Sequence, residues 1–486
     1  MQNYYQFMIP RLNGEDIKKN FSCYRSLVRR GVAGFIIFGG ELETVRACVG
    51  RLQEEAELPL IISSDLERGL GQQLKGGTLF PPAMALGAAY KKLSAITPQG
   101  SASSNEQSAI RLIRKSFKAV AEEAKYAGIN TIFAPVLDIN TNPRNPIIAV
   151  RAFGEDPAIV SLLGVEMIRA LQGSGIAACG KHFPGHGDTA VDSHIKLPVL
   201  QQEMKRLRRY ELRPFAAAVE AGVKMIMLGH LSVPALDASG TPVSFSNKAV
   251  QFLRREMGYG GLLVTDALNM GGIGNFSEEE ASCRALEAGV DILLHPSDAQ
   301  KIAVSLERMG PLSDPTRLIK FRKKLRPLSF CKKPSFESHL RIAQRLTEDA
   351  ITASSKFSIK GRALLIILND DAGDKGRDFC RIMKKQLPEM RVHEFVRGDS
   401  ARSIRKKPDE SMIVVIFSET KAWKGGASSW LFGMIRRFRP GADLFVSFGS
   451  PYLLDGAEKT PCLYAYWDAE LPQKTVAGLL TGTSRS

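Results

Sequence analysis

Histidine, cysteine and tryptophan are all scarce in this chain of 486 residues, which holds seven, seven and three of them. The cysteines are scattered, odd in number and without paired spacing, which excludes a disulfide-framed secreted fold and leads us to expect a cytoplasmic protein. No window approaches the roughly eighteen apolar residues of a membrane span. The start, Met1-Gln2-Asn3-Tyr4-Tyr5-Gln6, lacks the basic and apolar segments of a secretory leader. There is no aromatic-interleaved basic strip of the kind that binds nucleic acid, and Lys and Arg are spread along the chain. The net charge of +16 is therefore read as a solvated basic surface, with no nucleic-acid partner expected. A hydrophobic content of 44% over this length is enough to bury two cores.

Against that scarcity, one stretch concentrates three of the seven histidines: Lys181-His182-Phe183-Pro184-Gly185-His186-Gly187-Asp188, then Asp192-Ser193-His194. An apolar run, Gly175 to Cys179, leads into it, so the polar groups begin where a buried strand would end. A histidine two residues after an aspartate can donate one ring N–H to the carboxylate, which fixes its tautomer and leaves the other nitrogen for proton transfer. Asp192 and His194 are thus a candidate acid/base pair. The same residues also suit a loop held by local hydrogen bonds, or a metal site. A second apolar run, Gly261 to Val264, ends in Thr265-Asp266-Ala267-Leu268. A carboxylate there is costly unless partnered, so Asp266 is either a nucleophile or a helix cap. Paired with a His/Asp loop, it fits glycoside chemistry, which needs a proton donor on one face of a sugar and a carboxylate on the other.

Apolar runs at Gln6 to Pro10, Ala33 to Phe38, Pro59 to Ser63, Asn130 to Pro135, Gly175 to Cys179, Met225 to Gly229, Gly261 to Thr265 and Val290 to Leu294 alternate with helical patterns such as Ala109 to Tyr126, Ala158 to Leu171 and Lys205 to Glu220. Eight strands alternating with helices predict an α/β fold of the TIM-like (β/α)8 barrel type. Asp65, Asp138, Lys181, His182, His230, Asp266 and His295 then fall at C-terminal strand ends, the face on which barrels carry their sites. Of these, Asp138, His230 and His295 also have a purely structural reading, and His186 is open between substrate contact and loop staple. A basic, proline-broken stretch from Lys320 to Pro334 marks a boundary. A barrel over residues 1–330 and a smaller C-terminal α/β sandwich over 331–486 are expected, the latter with strands at Ala363 to Leu368, Met412 to Phe417, Leu444 to Phe448 and Leu463 to Trp467, after a helix from Glu337 to Ala353.

The string Lys-His-Phe-Pro-Gly-His-Gly…Asp-Ser-His resembles the signature of glycoside hydrolase family 3, in its β-N-acetylhexosaminidase branch of muropeptide-recycling N-acetylglucosaminidases. Pro135 to Asn140 with Asn145-Pro146, Arg151 to Pro157, Leu228-Gly229-His230 with Pro234 to Asp237, and Thr265 to Leu268 continue the resemblance in order over roughly the first 330 residues. It implies that Asp266 is the nucleophile of a retaining enzyme, that His194 with Asp192 is the acid/base, and that Asp65, Arg151, Lys181 and His182 hold the sugar, with no cofactor and no metal. The implied activity is release of terminal β-linked N-acetylglucosamine, with peptidoglycan fragments as the implied source. The alternatives are a phosphorylase or β-glucosidase of the same family and a degenerate, sugar-binding barrel. The chain departs from the family's Asp-x-Glu-Gly-Gly-Arg-x-x-Arg pattern: in Asp65-Leu66-Glu67-Arg68-Gly69-Leu70-Gly71-Gln72-Gln73, both arginine positions are lost, to Leu70 and Gln73. Arg68 is either a substitute for them or an ordinary surface residue.

Overall fold

The computed structural model describes all residues except 1, 96–101, 326–330, 360, 372–374, 401–403, 420–423, 425, 458 and 484–486. Eight parallel strands form a closed ring. They are β1 (Met8–Ile9, resuming after Pro10 as Arg11–Asn13), β2 (Gly34–Phe38), β3 (Ile61–Ser64), β4 (Thr131–Ile132), β5 (Ala177–Phe183), β6 (Met225–Leu228), β7 (Leu262–Thr265) and β8 (Leu293–Leu294). Each pairs with the next along the chain. Closure comes from β8 lying beside β1, with Met8 opposite Leu293 and Ile9 opposite Leu294, and from a bridge between Val264 of β7 and Ile292. Almost every residue of these strands is buried, which is why they read as apolar runs rather than as an alternation. Pro10 has no N–H to give the ladder, and β1 is interrupted there.

The expected (β/α)8 barrel is therefore present, with local differences that bear on the site. β5 does not end at Cys179 but runs on to Phe183, because the segment after β4 stays alongside it: the Lys181 N–H donates to the Pro135 carbonyl and the Leu137 N–H to that of Lys181. Lys181 and His182 are strand residues for that reason. The helix expected over Lys205 to Glu220 is two, Met204–Arg209 and Arg213–Glu220, the second opening with Pro214 in its first turn. The helix Pro157–Gly173 starts as its sequence prescribes, with the Asp156 carboxylate accepting from the Ala158 N–H at 2.8 Å and proline in the first turn.

Packing divides the described chain into two compact units. The first is residues 1–80, 110–142 and 152–342, and contains the barrel strands. The second is 81–109, 143–151 and 343–486. Residue 330, the last of the expected first domain, lies outside the described residues, and two inner segments pack with the C-terminal part. The reason is apolar: Met84, Ala85, Ala89 and Val150 share a cluster with Ala350, Tyr466 and Trp467.

The second unit holds a six-stranded sheet of β9 (Thr352–Ala353), β10 (Arg362–Asn369), β11 (Arg391–Val396), β12 (Glu410–Ser418), β13 (Leu444–Gly449) and β14 (Cys462–Tyr464), in the order β9-β14-β13-β12-β10-β11. All are parallel except β9. Residues of β10 and β12 alternate between two cores. One is closed by Phe379, Met383, Val476 and Leu480, the other by Leu431, Met434, Ile435 and Phe438, so helices cover both faces as expected of an α/β sandwich. Strand β11, an edge strand in which only Phe395 is buried, was not predicted from the sequence because Arg391, His393 and Glu394 break its apolar run. Among the described residues no helix is long and apolar enough to cross a membrane.

Candidate active site

Asp266 follows β7 directly, and its own N–H is held by the Leu228 carbonyl of β6. Only 8% of the residue is exposed. The Ala267 N–H donates to its Oδ1 at 2.8 Å. Burial works against the charged carboxylate, but His182, His230, His194 and that amide outweigh it, and its pKa falls from 3.8 to about 2. The group is an ionised nucleophile candidate at neutral pH, and these three histidines are the groups gathered around it.

The Asp192 carboxylate accepts twice from His194 through one oxygen: from the backbone N–H at 2.8 Å and from Nδ1 at 2.9 Å. Because an ionised carboxylate only accepts, Nδ1 must carry a proton, and Nε2 is the nitrogen left for proton transfer. The Asp192 side chain is 1% exposed and the imidazole 18%, so the anchor is inside and the working ring is reachable. Of the three readings the sequence left open here, the acid/base geometry is present. The loop is also seated on the segment after β7. The Gly271 N–H donates to the His194 carbonyl at 3.2 Å, and a Cβ at Gly272 would lie 2.7 Å from the Ser193 oxygen.

Lys181, 2% exposed, lies between two carboxylates, Asp65 at 2.5 Å and Glu67 at 2.7 Å. A buried ammonium is tolerable only with such partners. Glu67 was not singled out from the sequence. The available signal was its closeness: a second carboxylate two residues past Asp65, just beyond the end of β3.

His182 gives its Nδ1 proton to Asp138 at 2.7 Å, which aims Nε2 the other way. Asp138 also accepts from the His186 N–H at 2.7 Å. Although burial raises its pKa, His182 and His186 bring it below the ordinary carboxylate value. Asp138 is thus a fully buried anchor of the Lys181–His186 stretch, its structural reading. His186 is itself buried, with Nδ1 bonded to the Thr189 hydroxyl at 2.7 Å, and burial takes its pKa to about 4, so it staples the turn in the neutral form. His230 spans Ser244 Oγ at 2.6 Å and the Ala267 carbonyl at 3.1 Å; it too is held neutral by burial and pins the residue beside Asp266.

Leu70 is wholly buried, and Gln73 donates to the Asp65 backbone carbonyl at 3.4 Å. Arg68 is half-buried with Nε on the Phe80 carbonyl at 3.4 Å, so it is tied into its loop and is not an ordinary surface residue. Asp65, Lys181, His182, Asp192, His194 and Asp266 all belong to the first unit. Arg151 belongs to the second, where its guanidinium donates to the Ile147 carbonyl at 3.2 Å.

A closed parallel barrel that holds an ionised carboxylate at one strand end and an aspartate-oriented imidazole in a nearby loop carries the groups that nucleophile and acid/base chemistry requires. More specifically, the chain belongs to glycosyl hydrolase family 3, matching that family's N-terminal domain over residues 6–314. It is similar to the Beta-hexosaminidase A of Pseudoalteromonas piscicida, 38% identical over half of this chain and 41% of that protein, and to the Beta-hexosaminidase of Thiobacillus denitrificans, 35% identical over 54% and 70%. The chain thus spans less than half of the first of these relatives. Among solved structures it resembles a glycoside hydrolase family 3 beta-N-acetylglucosaminidase from Paenibacillus sp. str. FPU-7. The identity there is 26% and the TM-score 0.80, covering 99% of this chain and 96% of that one.

Proposed function

We propose that the protein is a retaining β-N-acetylhexosaminidase that releases terminal β-linked N-acetylglucosamine. The observation that carries this reading is the pairing of a buried, ionised Asp266 with His194, oriented by Asp192, on one barrel face. In the first step an Asp266 oxygen attacks the anomeric carbon while the bond to the leaving oxygen breaks, and imidazolium Nε2 of His194 protonates that oxygen. In the second, neutral Nε2 takes a proton from water, which attacks the anomeric carbon and frees Asp266. Asp65, Lys181 and His182 supply an acceptor and donors for the sugar's hydroxyl and acetamido groups. For Arg151 the same role rests on family resemblance alone.

Peptidoglycan fragments are the proposed natural substrates, with the barrel part, 1–330, catalytic and 331–486 serving packing. A cytoplasmic location is proposed as well, supported by seven cysteines that are all free thiols. The test is release of chromophore from an aryl β-N-acetylglucosaminide beside the matching glucoside, with and without phosphate. The acetamido sugar is expected to be cleaved preferentially, with free sugar as product, and Asp266→Asn to lose at least about a thousandfold in kcat without a change in Tm. Near-normal turnover by that variant would sink the assignment. Formation of sugar 1-phosphate would convert it to a phosphorylase.

A further inference from the structure

The chemistry above draws on the ends of β3, β5 and β7 and leaves those of β8, β1 and β2 without a role. Three side chains meet there. His295 follows β8 directly, and its N–H is held by the Ile9 carbonyl at 2.9 Å. Its backbone is in the left-handed region, φ 50°, a conformation that disfavours a side chain and that recurs at functional sites. The ring lies 5.7 Å from that of Phe38, the last residue of β2, tilted by 34°. The Arg11 guanidinium stands 4.9 Å from the centre of the same Phe38 ring.

What His295 and Arg11 lack, among the described residues, is a hydrogen-bonding or ion-pair partner for their side chains. Buried polar groups are normally hydrogen-bonded, to protein or to water. Among the described residues, neither ring nitrogen of His295 makes such a bond, and neither is sealed from solvent. Arg11 likewise has no ion pair among the described residues. Burial first, and then the Arg11 charge, hold His295 down to about 4 against the opposing pull of Asp65, so the ring is neutral through the physiological range. A neutral imidazole offers one donor and one acceptor, which is what a sugar hydroxyl requires. Lys181 can only donate and Asp65 only accept.

We propose that His295 is a further substrate-binding residue, hydrogen-bonding a hydroxyl of the terminal sugar on the side that Asp65 faces, with Phe38 beside it as an apolar wall. The inference rests on the glycosidase reading and adds a contact from β8 that the reading does not contain. His295→Gly removes the ring and suits the backbone at that φ, while His295→Gln restores a donor and an acceptor. With wild type and both variants, kcat/KM is measured on an aryl β-N-acetylglucosaminide and on its 3-deoxy, 4-deoxy and 6-deoxy analogues. The glycine variant is expected to lose about tenfold on the parent sugar, chiefly in KM, and to match wild type within about twofold on the one analogue that lacks the contacted hydroxyl; glutamine recovers part of the loss. A glycine variant within about twofold of wild type on the parent, or an equal loss on the parent and all three analogues, would overturn the subsite while leaving the glycosidase intact. Wild type silent on the parent sugar would overturn the glycosidase reading, and the subsite with it.

Discussion

At the level of single residues, the pair proposed for the proton work was visible in the chain before folding, because Asp192 and His194 are near neighbours and need only a local turn to bond. The ion pairs around Lys181 were not all visible. Its partners are 116 and 114 residues away in sequence, and the Glu67 contribution emerges only when β3 and β5 bring their ends to one mouth. If His194 delivers the proton to the leaving oxygen, its loss should depend on how badly that oxygen needs one. His194→Ala is expected to slow an unactivated phenyl β-N-acetylglucosaminide by about 10²–10⁴-fold and a dinitrophenyl one by far less. A series of aryl substrates with graded leaving-group acidity checks this, and an equal loss across the series would point to a structural role.

Elements, rather than residues, set the distance between Asp266 and His194. The loop with His194 follows β5 and Asp266 follows β7, and the two chains touch where side chains are missing. A Cβ at Gly271 would fall 2.4 Å from the Ile195 oxygen, and one at Gly272 would fall 2.7 Å from the Ser193 oxygen and 2.8 Å from the His230 Cβ. These are backbone atoms and the stem of a buried ring, so neither side gives way cheaply. Gly272→Ala should therefore push the His194 loop outward and reproduce a milder form of the His194→Ala pattern: about tenfold lost on poorly activated aryl substrates, little on dinitrophenyl, with Asp266 still able to form its intermediate. Leaving-group series on the two variants, run side by side, measure it. The sequence shows a Gly-Gly step after the nucleophile but not what lies against it.

For the whole molecule, the histidines govern how stability depends on pH. His186 and His295 sit in the fold with pKa values brought from 6.5 to about 4, and His230 is lowered too, all primarily by burial. An unfolded chain binds protons at these sites below about 6.5 and the folded chain does not, so their contribution is full above that pH and is lost as pH falls toward 4. His339 acts in the opposite sense. Burial lowers its pKa, but its bonds to Glu123 at 2.7 Å and Glu122 at 3.2 Å raise it overall, so its contribution is present below 6.5 and is lost as pH rises through the raised value. Three lowered groups against one raised predict that Tm falls between pH 7 and pH 4.5. A His186→Asn variant should show a shallower fall, and a flat Tm profile for wild type would contradict this reading.

Strand identity, barrel class and the Asp266, Asp192 and His194 candidates were written in the sequence, because each depends on residues close together: a buried parallel strand is a short apolar run, and a carboxylate or imidazole at its end stands out against it. The exact end of β5, the pairing of Lys181 with Glu67, the seating of the His194 loop on Gly271 and Gly272, and the placing of the His295 ring beside Phe38 were decided only by tertiary structure. Each is a meeting of segments far apart in the chain, and the free energy that selects it, the pairing of buried charge or the close approach of two backbones, exists only once the barrel has closed.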